Sequence, residues 1–251
     1  MPESTIKPVA PRRTGDAIVI SGDYQHKARH EGFVVQRFWH AEKERIIRRF
    51  SLPHPGDRVL DVGCGSGVIA SLLAQCGAHA TGVDANPQAI EYASKTFRHA
   101  TLDFRLGSVE ELDFTPDSID RIYCLELIEH LYENQVSDLL RAMHHLVKPG
   151  GTVMLTTPNY RGLWPMIELT MDILKLAPQM DEEQHVTRFH HARLRQMLEA
   201  TGWRVERLTT FSTFAPFVSV INWKLAERCA ALEDRLSLPF GNLILAVATK
   251  P

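Results

Sequence analysis

The stretch DRVLDVGCGSG, at residues 57–67, most constrains what this chain can fold into. Its apolar residues Val59, Leu60 and Val62 predict a short buried strand, and three glycines follow at alternate positions. The next segment, VIASLLAQC, predicts a helix that Gly77 is placed to end. A strand that leads through a glycine turn into a helix is typical of a doubly wound α/β sheet.

The alternation of strand and helix continues along the chain. AHATGVDA, TLDFRLGS, SIDRIYCLE and GGTVMLTTPN predict four more strands. Helices are predicted for NPQAIEYASKTF, with Asn86 as N-cap and Pro87 at N1, and for ENQVSDLLRAMHHLV and ARLRQMLEA. After Asn159 the rhythm changes, and WRVERLTTF and GNLILAVATK predict the last two strands. We therefore expect one doubly wound domain over residues 23–251, preceded by a flexible arm at residues 1–22.

Composition narrows the class of protein. The chain has 251 residues and a net charge of −2, which gives no overall basic footprint for nucleic acid. The four cysteines are scattered and form no CxxC pair, which predicts reduced thiols rather than disulfides or a zinc site. The first residues lack the apolar stretch of a signal peptide, and no apolar run is long enough to span a bilayer. We expect a cytoplasmic protein.

The glycine turn and the two following strand ends favour a nucleoside-like ligand. The dinucleotide fingerprint G-x-G-x-x-G would need glycine where this chain has Val68, which disfavours a pyrophosphate cradle. Asp84 ends the second strand, about 20 residues past the glycines, where a carboxylate can accept both hydroxyls of a ribose. The loop GSVEELDF after the third strand can hydrogen-bond an adenine edge.

Together with LVKPGG before the fifth strand, these motifs resemble class I S-adenosylmethionine-dependent methyltransferases, in particular the ubiquinone-biosynthesis O-methyltransferase and methyltransferase type 11 group. The likeness runs from about Asp57 to Asn159. It implies a Rossmann-like seven-stranded sheet, mostly parallel, with a reversed C-terminal hairpin, and S-adenosylmethionine as cofactor. Asp61 and the glycine loop would face the methionine part, Asp84 the ribose, and residues 108–110 the adenine. The implied cofactor-binding residues are Asp61, Gly63, Cys64, Gly65, Gly67, Asp84, Ala85, Ser108, Val109, Glu110 and Leu125. Many relatives carry Asp in place of Ser108.

The segment CLELIEHL, at the end of the fourth strand, crowds Glu126, Glu129 and His130 on the cofactor side. If the chain turns helical there, Glu126 and His130 share a face, with Glu129 beside them. This ExxEH pattern resembles the ubiquinone-pathway O-methyltransferases and the small-RNA 2′-O-methyltransferases, in which such residues and a later histidine hold a divalent ion. The resemblance implies His185 as that histidine, and carboxylates with imidazole suit Mg²⁺ or Mn²⁺.

Other interpretations of this cluster stay open. Without a metal, His130 would act as general base, with Glu129 as its catalytic companion. In a purely structural interpretation, Glu129 caps the next helix and His130 packs in the core. His190 and His191 are alternatives to His185.

The acceptor side of the sequence is unusually apolar. We expect a helical cap insertion at about residues 160–190 and an apolar segment at about residues 209–235. Their aromatic and methionine side chains would line an apolar acceptor pocket or touch a membrane, or else form a cap core or a dimer seam. The side chains are Trp164, Met166, Met171, Phe211, Phe214, Phe217 and Trp223.

The N-terminal helical segment carries basic residues interleaved with Glu31, Glu42 and Glu44, as expected of a solvated helix face and not of a nucleic-acid surface. Tyr24, Arg37 and Trp39 in this segment are candidates to close over the cofactor, as the resemblance implies.

Three functions follow from these patterns. The leading hypothesis is O-methylation of a small lipophilic hydroxylated molecule, assisted by a divalent metal, with peripheral membrane contact and no nucleic-acid partner. The second is a metal-independent C- or N-methyltransferase of a small molecule or lipid. The third is a non-catalytic cofactor-binding or scaffold protein.

Overall fold

The computed structural model describes residues 21–165, 185–236 and 238–251. A seven-stranded sheet with the order β3-β2-β1-β4-β5-β7-β6 forms its centre. The strands are β1 (Arg58–Val62), β2 (His79–Asp84), β3 (Leu102–Leu106), β4 (Ile119–Leu125), β5 (Val147–Pro158), β6 (Arg204–Phe211) and β7 (Leu243–Thr249). Strand β7 pairs antiparallel with β5 and β6, and the pairs from β3 to β5 are parallel. The predicted doubly wound sheet with a reversed C-terminal hairpin is confirmed.

Helices cover both faces of this sheet. They are α1 (Tyr24–His30), α2 (Val34–Phe50), α3 (Val68–Gln75), α4 (Pro87–Thr96), α5 (Glu133–Leu146), α6 (His191–Ala200), α7 (Ala215–Val218) and α8 (Trp223–Leu236). A short 3₁₀ turn spans Ile128–His130. The predicted N-cap of α4 is confirmed, because the Asn86 side chain accepts a hydrogen bond from the backbone N–H of Gln88 at 2.9 Å.

Two apolar clusters hold the helices on the sheet. On one face, Val136, Leu140 and Met143 of α5 pack with the buried residues of β4 and β5. On the other face, helices α2 and α3 contribute Ile46, Ile47, Leu72 and Leu73 to a second cluster. Burial on both faces explains why these strands are continuous apolar runs in the sequence instead of alternating patterns.

Helix α2 departs from the sequence prediction. Its Glu42 and Lys43 are buried, 2% and 7% exposed, so a solvated helix face is the wrong description of this part of the helix. The Arg45 guanidinium donates to Glu42 at 2.6 and 3.0 Å and also to Asp234 of α8. The charges of α2 are therefore paired inside the protein, where an unpaired charge would be costly.

The loops that concern function meet at one edge of the sheet. Strands β1 to β5 all end there, because they run parallel. Leu243 pairs with both Pro158 and Phe211, which brings the long connection between β6 and β7 to the same edge. Residues 1–20 of the expected arm and residues 166–184 of the expected cap insertion, including Met166 and Met171, lie outside the described residues.

Candidate active site

The glycine loop leaves β1 and turns back towards the second strand. The N–H groups of Gly63 and Cys64 both donate to the Val83 carbonyl, at 2.8 and 3.0 Å. Gly67 has a φ of +84°, and a Cβ there would lie 2.7 Å from the Phe104 ring. Gly67 is therefore required for close packing, and it is the N-cap residue of α3.

Asp61, at the end of β1, carries a buried oxygen without a partner. Its side chain is 2% exposed, and Oδ2 accepts no hydrogen bond in the described structure. Burial raises the pKa of Asp61 to about 7, opposed by a hydrogen bond from the Ala70 backbone. Such a carboxyl group fits a cationic ligand atom, which would supply both the missing donor and a compensating charge.

Asp84 holds the glycine loop in place. Its Oδ2 accepts from the Gly65 N–H and its Oδ1 from the Asn86 N–H, both at 2.8 Å. Burial raises its pKa, although these hydrogen bonds oppose the rise. Each carboxylate oxygen has further acceptor capacity, so the group can still receive hydroxyls from a ligand. The neighbouring Ala85 is partly exposed at the same turn.

The loop after β3 supplies the third edge of this site. The Val109 side chain is buried in the apolar core, so the backbone of this residue is what the loop can offer to a ligand. Ser108 is half-buried and Glu110 is exposed. Strands β2 and β3 lie side by side, which puts Asp84 and this loop at the same edge.

Helices α1 and α2 form the wall opposite the glycine loop. The cleft between these helices and the glycine loop has a mixed polar and apolar lining: Gln25, Arg29, His40, Lys43, Asp61, Gly63, Cys64, Val68, Ile69 and Leu125. The amide of Gln25 reaches the glycine loop so closely that a Cβ on Gly65 would fall 2.5 Å from its oxygen. Burial lowers the pKa of His40 well below its usual value, and nearby Lys43 and Arg29 add to this.

Glu126 ties α2 to the end of β4. Its carboxylate pairs with Lys43 Nζ at 2.8 Å and accepts from Trp39 Nε1 at 3.3 Å. Its backbone has a φ of +54°, an uncommon conformation for a residue other than glycine. The 3₁₀ turn begins only at Ile128, so Glu126 lies before it. The expectation that Glu126 and His130 share a helical face is therefore wrong.

Glu129, His130 and His185 come together beside this point. One potential ligand atom from each lies within 4.8 Å of the others. Glu129 is buried and accepts from Thr157 Oγ1 at 3.0 Å, and burial followed by the charge of Glu126 raises its pKa to about 8. The His185 ring lies 5.1 Å from that of His130, and His185 Nδ1 hydrogen-bonds the Tyr160 hydroxyl at 2.8 Å. The structure thus groups three of the four expected metal ligands and gives Glu126 another partner.

Several other predicted residues have different places. His190 caps α6 by accepting from the Arg193 N–H. Trp164 packs between the rings of Trp39 and His185, at 5.2 and 5.8 Å, and so lies beside the Glu129, His130 and His185 cluster. Phe211 is a buried core residue.

Three side chains of the expected apolar segment lie in or next to helices α7 and α8. Trp223 packs edge-on against Phe38 of α2, with ring centroids 5.0 Å apart. Phe214 and Phe217 are exposed to solvent. Among the residues expected to close over the cofactor, Arg37 lies over the Trp223 ring and the Tyr24 hydroxyl accepts from Gln36.

Sequence reasoning missed Lys43, Gln25, Thr157 and Tyr160. Lys43 stands in a basic stretch, and nothing local distinguishes it from a surface lysine. Thr157 lies at the end of the fifth strand and Tyr160 just after it. Because ligands bind at the carboxyl ends of parallel strands, this position could have predicted that both residues lie near the site.

Comparisons with known proteins agree with this architecture. A family model described as a methyltransferase domain matches residues 33–208. The ubiquinone biosynthesis O-methyltransferase of Xanthomonas campestris pv. campestris (strain B100) is 39% identical over 108 residues, which is 42% of this chain and 44% of that protein. The mitochondrial enzyme of the same name from Schizosaccharomyces pombe is 36% identical over 133 residues, 49% of this chain and 46% of that protein. The chain thus matches under half the length of these relatives.

Solved structures share the fold. A SAM-dependent methyltransferase from Archaeoglobus fulgidus superposes with a TM-score of 0.64 at 20% identity, covering 90% of this chain and 99% of that one. A Haloferax volcanii protein described as a putative methyltransferase, in complex with the Trm112 activator, gives 0.64 at 23% identity, covering 92% and 97%. The match over residues 33–208 includes the glycine loop, Asp61 and Asp84, and the cluster of Glu129, His130 and His185. The chain therefore belongs to the methyltransferase domain family.

Proposed function

We propose that this protein transfers a methyl group from S-adenosylmethionine to a hydroxyl of a small lipophilic acceptor, with the help of a divalent cation. The observation that carries the proposal is the grouping of Glu129, His130 and His185 beside the end of β4. The names of the curated relatives, ubiquinone biosynthesis O-methyltransferases, support an oxygen acceptor. Peripheral contact with a membrane belongs to the same proposal, because an apolar acceptor partitions into lipid.

The cofactor has a matching set of groups at the sheet edge. The unpartnered Oδ2 of Asp61 would accept from the ammonium of the methionine part. Asp84 would receive the ribose hydroxyls, and the loop at Ser108, Val109 and Glu110 would lie along the adenine. When bound, the cofactor supplies a sulfonium methyl group that an acceptor electron pair can displace in line. The chain's own task is to hold the acceptor in line and to manage the hydroxyl proton.

The three-residue cluster also fits a divalent cation. Two ligands at about 2.1–2.3 Å from one ion lie about 3.0–4.6 Å apart, depending on the angle between them. The three ligand atoms of the cluster lie within 4.8 Å of one another, so they must move closer together to bind one ion. One carboxylate and two imidazoles suit Mn²⁺, and also Mg²⁺ less closely. A cation there would stabilise negative charge on the acceptor oxygen. Glu126 would contribute only if it released Lys43.

The metal-free form of the reaction is a second candidate, favoured by a separate observation. Glu129 already accepts from Thr157, and His185 already hydrogen-bonds Tyr160, so neither needs an ion to be paired. In this version the His130 imidazole would take the hydroxyl proton, and Glu129 would orient the ring.

Methyl transfer from labelled S-adenosylmethionine to lipophilic phenols and catechols, with and without exhaustive chelation, tests both candidates. We expect chelation to slow transfer and added Mn²⁺ to restore it. His130→Ala should abolish transfer and change the calorimetric affinity for S-adenosylhomocysteine by less than about twofold, because it lies outside the cofactor cleft. The control is His79→Ala, an exposed histidine at the opposite end of β2, which should behave as wild type. Full turnover after chelation would refute metal assistance and leave the mechanism in which His130 is the general base. Full turnover of the His130→Ala variant would refute both mechanisms.

A further inference from the structure

The connection between β6 and β7 exposes a row of large apolar side chains. We call this the α7–α8 apolar face: Phe217, Val220, Ile221, Leu225, Leu232 and Leu236. Ile221 is 81% exposed, and each of the others is about half exposed or more. A cluster of large apolar side chains in water is unusual for a surface without a partner.

The spacing of these residues sets them apart from the packing side of α8. Leu225, Leu232 and Leu236 recur at helical spacing, one above another. The buried side of the same helix is built from small or charged residues, Ala226, Ala230 and Glu233. Helix α8 thus turns its larger apolar side chains outward, although burial of a helix's apolar stripe is the usual arrangement.

The charges of α8 are sorted in the same way. Two of its three acids point inward: Glu233 accepts from the backbone N–H of Phe214 at 2.7 Å, and Asp234 pairs with arginines of α2. Its cations, Lys224, Arg228 and Arg235, are exposed, and none of them forms an ion pair with another described residue. The remaining acid, Glu227, accepts from Trp223 Nε1. The exposed side of α8 therefore combines apolar residues with a net positive charge.

This face stands at the rim of the active-site edge. The loop that follows α8 is held by Asn159, whose Nδ2 donates to the Gly241 carbonyl at 2.9 Å. The next residue along the chain, Tyr160, hydrogen-bonds His185 of the candidate metal cluster. A single short segment thus joins the apolar face to the acceptor side.

We propose that the α7–α8 apolar face docks the protein on an anionic lipid bilayer, with its leucines in the interface and its cations at the head groups. A second copy of the chain fits less well, because a two-fold contact would bring the exposed cations of both α8 helices together. The docking itself needs only the face, but its use, delivery of a lipophilic acceptor to the rim, rests on the proposed function.

Sedimentation of the full chain with vesicles tests the docking. We expect binding to phosphatidylcholine vesicles that contain phosphatidylglycerol, little binding to phosphatidylcholine alone, and loss of binding at high salt. Leu225→Ser with Leu232→Ser should weaken binding roughly tenfold or more. Lys224→Glu with Arg228→Glu should weaken it to a similar degree. The matched control is Leu52→Ser, an exposed leucine in the loop before β1 at the other edge of the sheet, which should bind as wild type.

Four results would overturn the docking. They are an absence of vesicle binding, equal binding to both vesicle types, full binding by the double serine variant, and a dimer by light scattering that this variant dissociates. A sharp drop in the melting temperature of the serine variant would also count against it, since the face would then be covered by the chain itself. Transfer to a short, water-soluble phenol separates the two proposals: docking can fail while transfer persists, and transfer can fail while docking persists.

Discussion

Replacing Asp61 by asparagine should stabilise the free protein and weaken cofactor binding. The Asp61 carboxyl is buried with an unpartnered oxygen, and burial raises its pKa from 3.8 to about 7. The folded protein therefore holds this proton more tightly than the unfolded chain does. Stability is lost as the pH rises from about 4 to about 7, and above pH 7 the full cost of the buried charge remains.

The size of both effects follows from the same group. A rise from 3.8 to about 7 corresponds to at most about 4 kcal/mol of unfolding free energy. The asparagine amide stays buried without a partner, which costs about 1–3 kcal/mol, so we expect a net gain of about 2 kcal/mol. That gain would raise the melting temperature by about 4–8 °C at pH 8. A lost charge-assisted hydrogen bond to the ligand ammonium, about 1.5–3 kcal/mol, would weaken cofactor binding by roughly 10- to 150-fold.

Two assays test the predicted gain in stability and the predicted loss of cofactor affinity. Calorimetric melting at pH 8 without cofactor should show the stabilised variant, and titration with S-adenosylhomocysteine should show the weakened site. Below pH 7, wild-type affinity should fall by about tenfold per pH unit, because binding must then displace the proton, whereas the Asp61→Asn variant should show a flat profile. A lower melting temperature together with unchanged ligand affinity would refute the assignment of Asp61 to the ammonium.

Three further substitutions test the glycine loop, the ion pair between Glu126 and Lys43 of α2, and the buried ion pairs of Asp234. Gly67→Ala should destabilise the fold by about 2–4 kcal/mol in urea unfolding, because its φ is positive and the new methyl meets the Phe104 ring; a change under about 0.5 kcal/mol would contradict this packing. Glu126→Gln should weaken S-adenosylhomocysteine binding about fivefold by releasing Lys43, and a larger loss of Mn²⁺ affinity would make Glu126 a ligand instead. Asp234→Ala should cost about 3 kcal/mol in thermal melting, since Arg49 loses its carboxylate partner and Arg45 keeps only Glu42; wild-type stability would show that these ion pairs make no net contribution.

Local patterns were enough to predict most of the fold. The strand before the glycine loop was readable because both of its faces are buried, and Asn86 marked the start of α4 through its capping preference. Glu126, Glu129 and His130 could be predicted as site residues because they follow a predicted parallel strand, where such sheets bind ligands. These signals depend on neighbouring residues only.

The parts that escaped prediction depend on distant partners. Glu126 and Lys43 are far apart in the sequence, and only the packing of α2 across the sheet edge brings them together. A lysine among arginines has the same local pattern whether its side chain is solvated or buried, so its role could not be read from composition. The positive φ of Glu126 was equally hidden, because it is imposed by the turn from β4 into the 3₁₀ segment and not by its residue type.

The most direct test of the account is the product formed from labelled S-adenosylmethionine and a lipophilic catechol. We predict a labelled methoxy group, identified by mass spectrometry and NMR, whose formation falls on chelation and disappears in His130→Ala. Label on carbon or nitrogen would contradict the proposed O-methylation. An absence of transfer to any hydroxylated acceptor, with cofactor binding intact, would contradict the assignment of the Glu129, His130 and His185 cluster to that reaction.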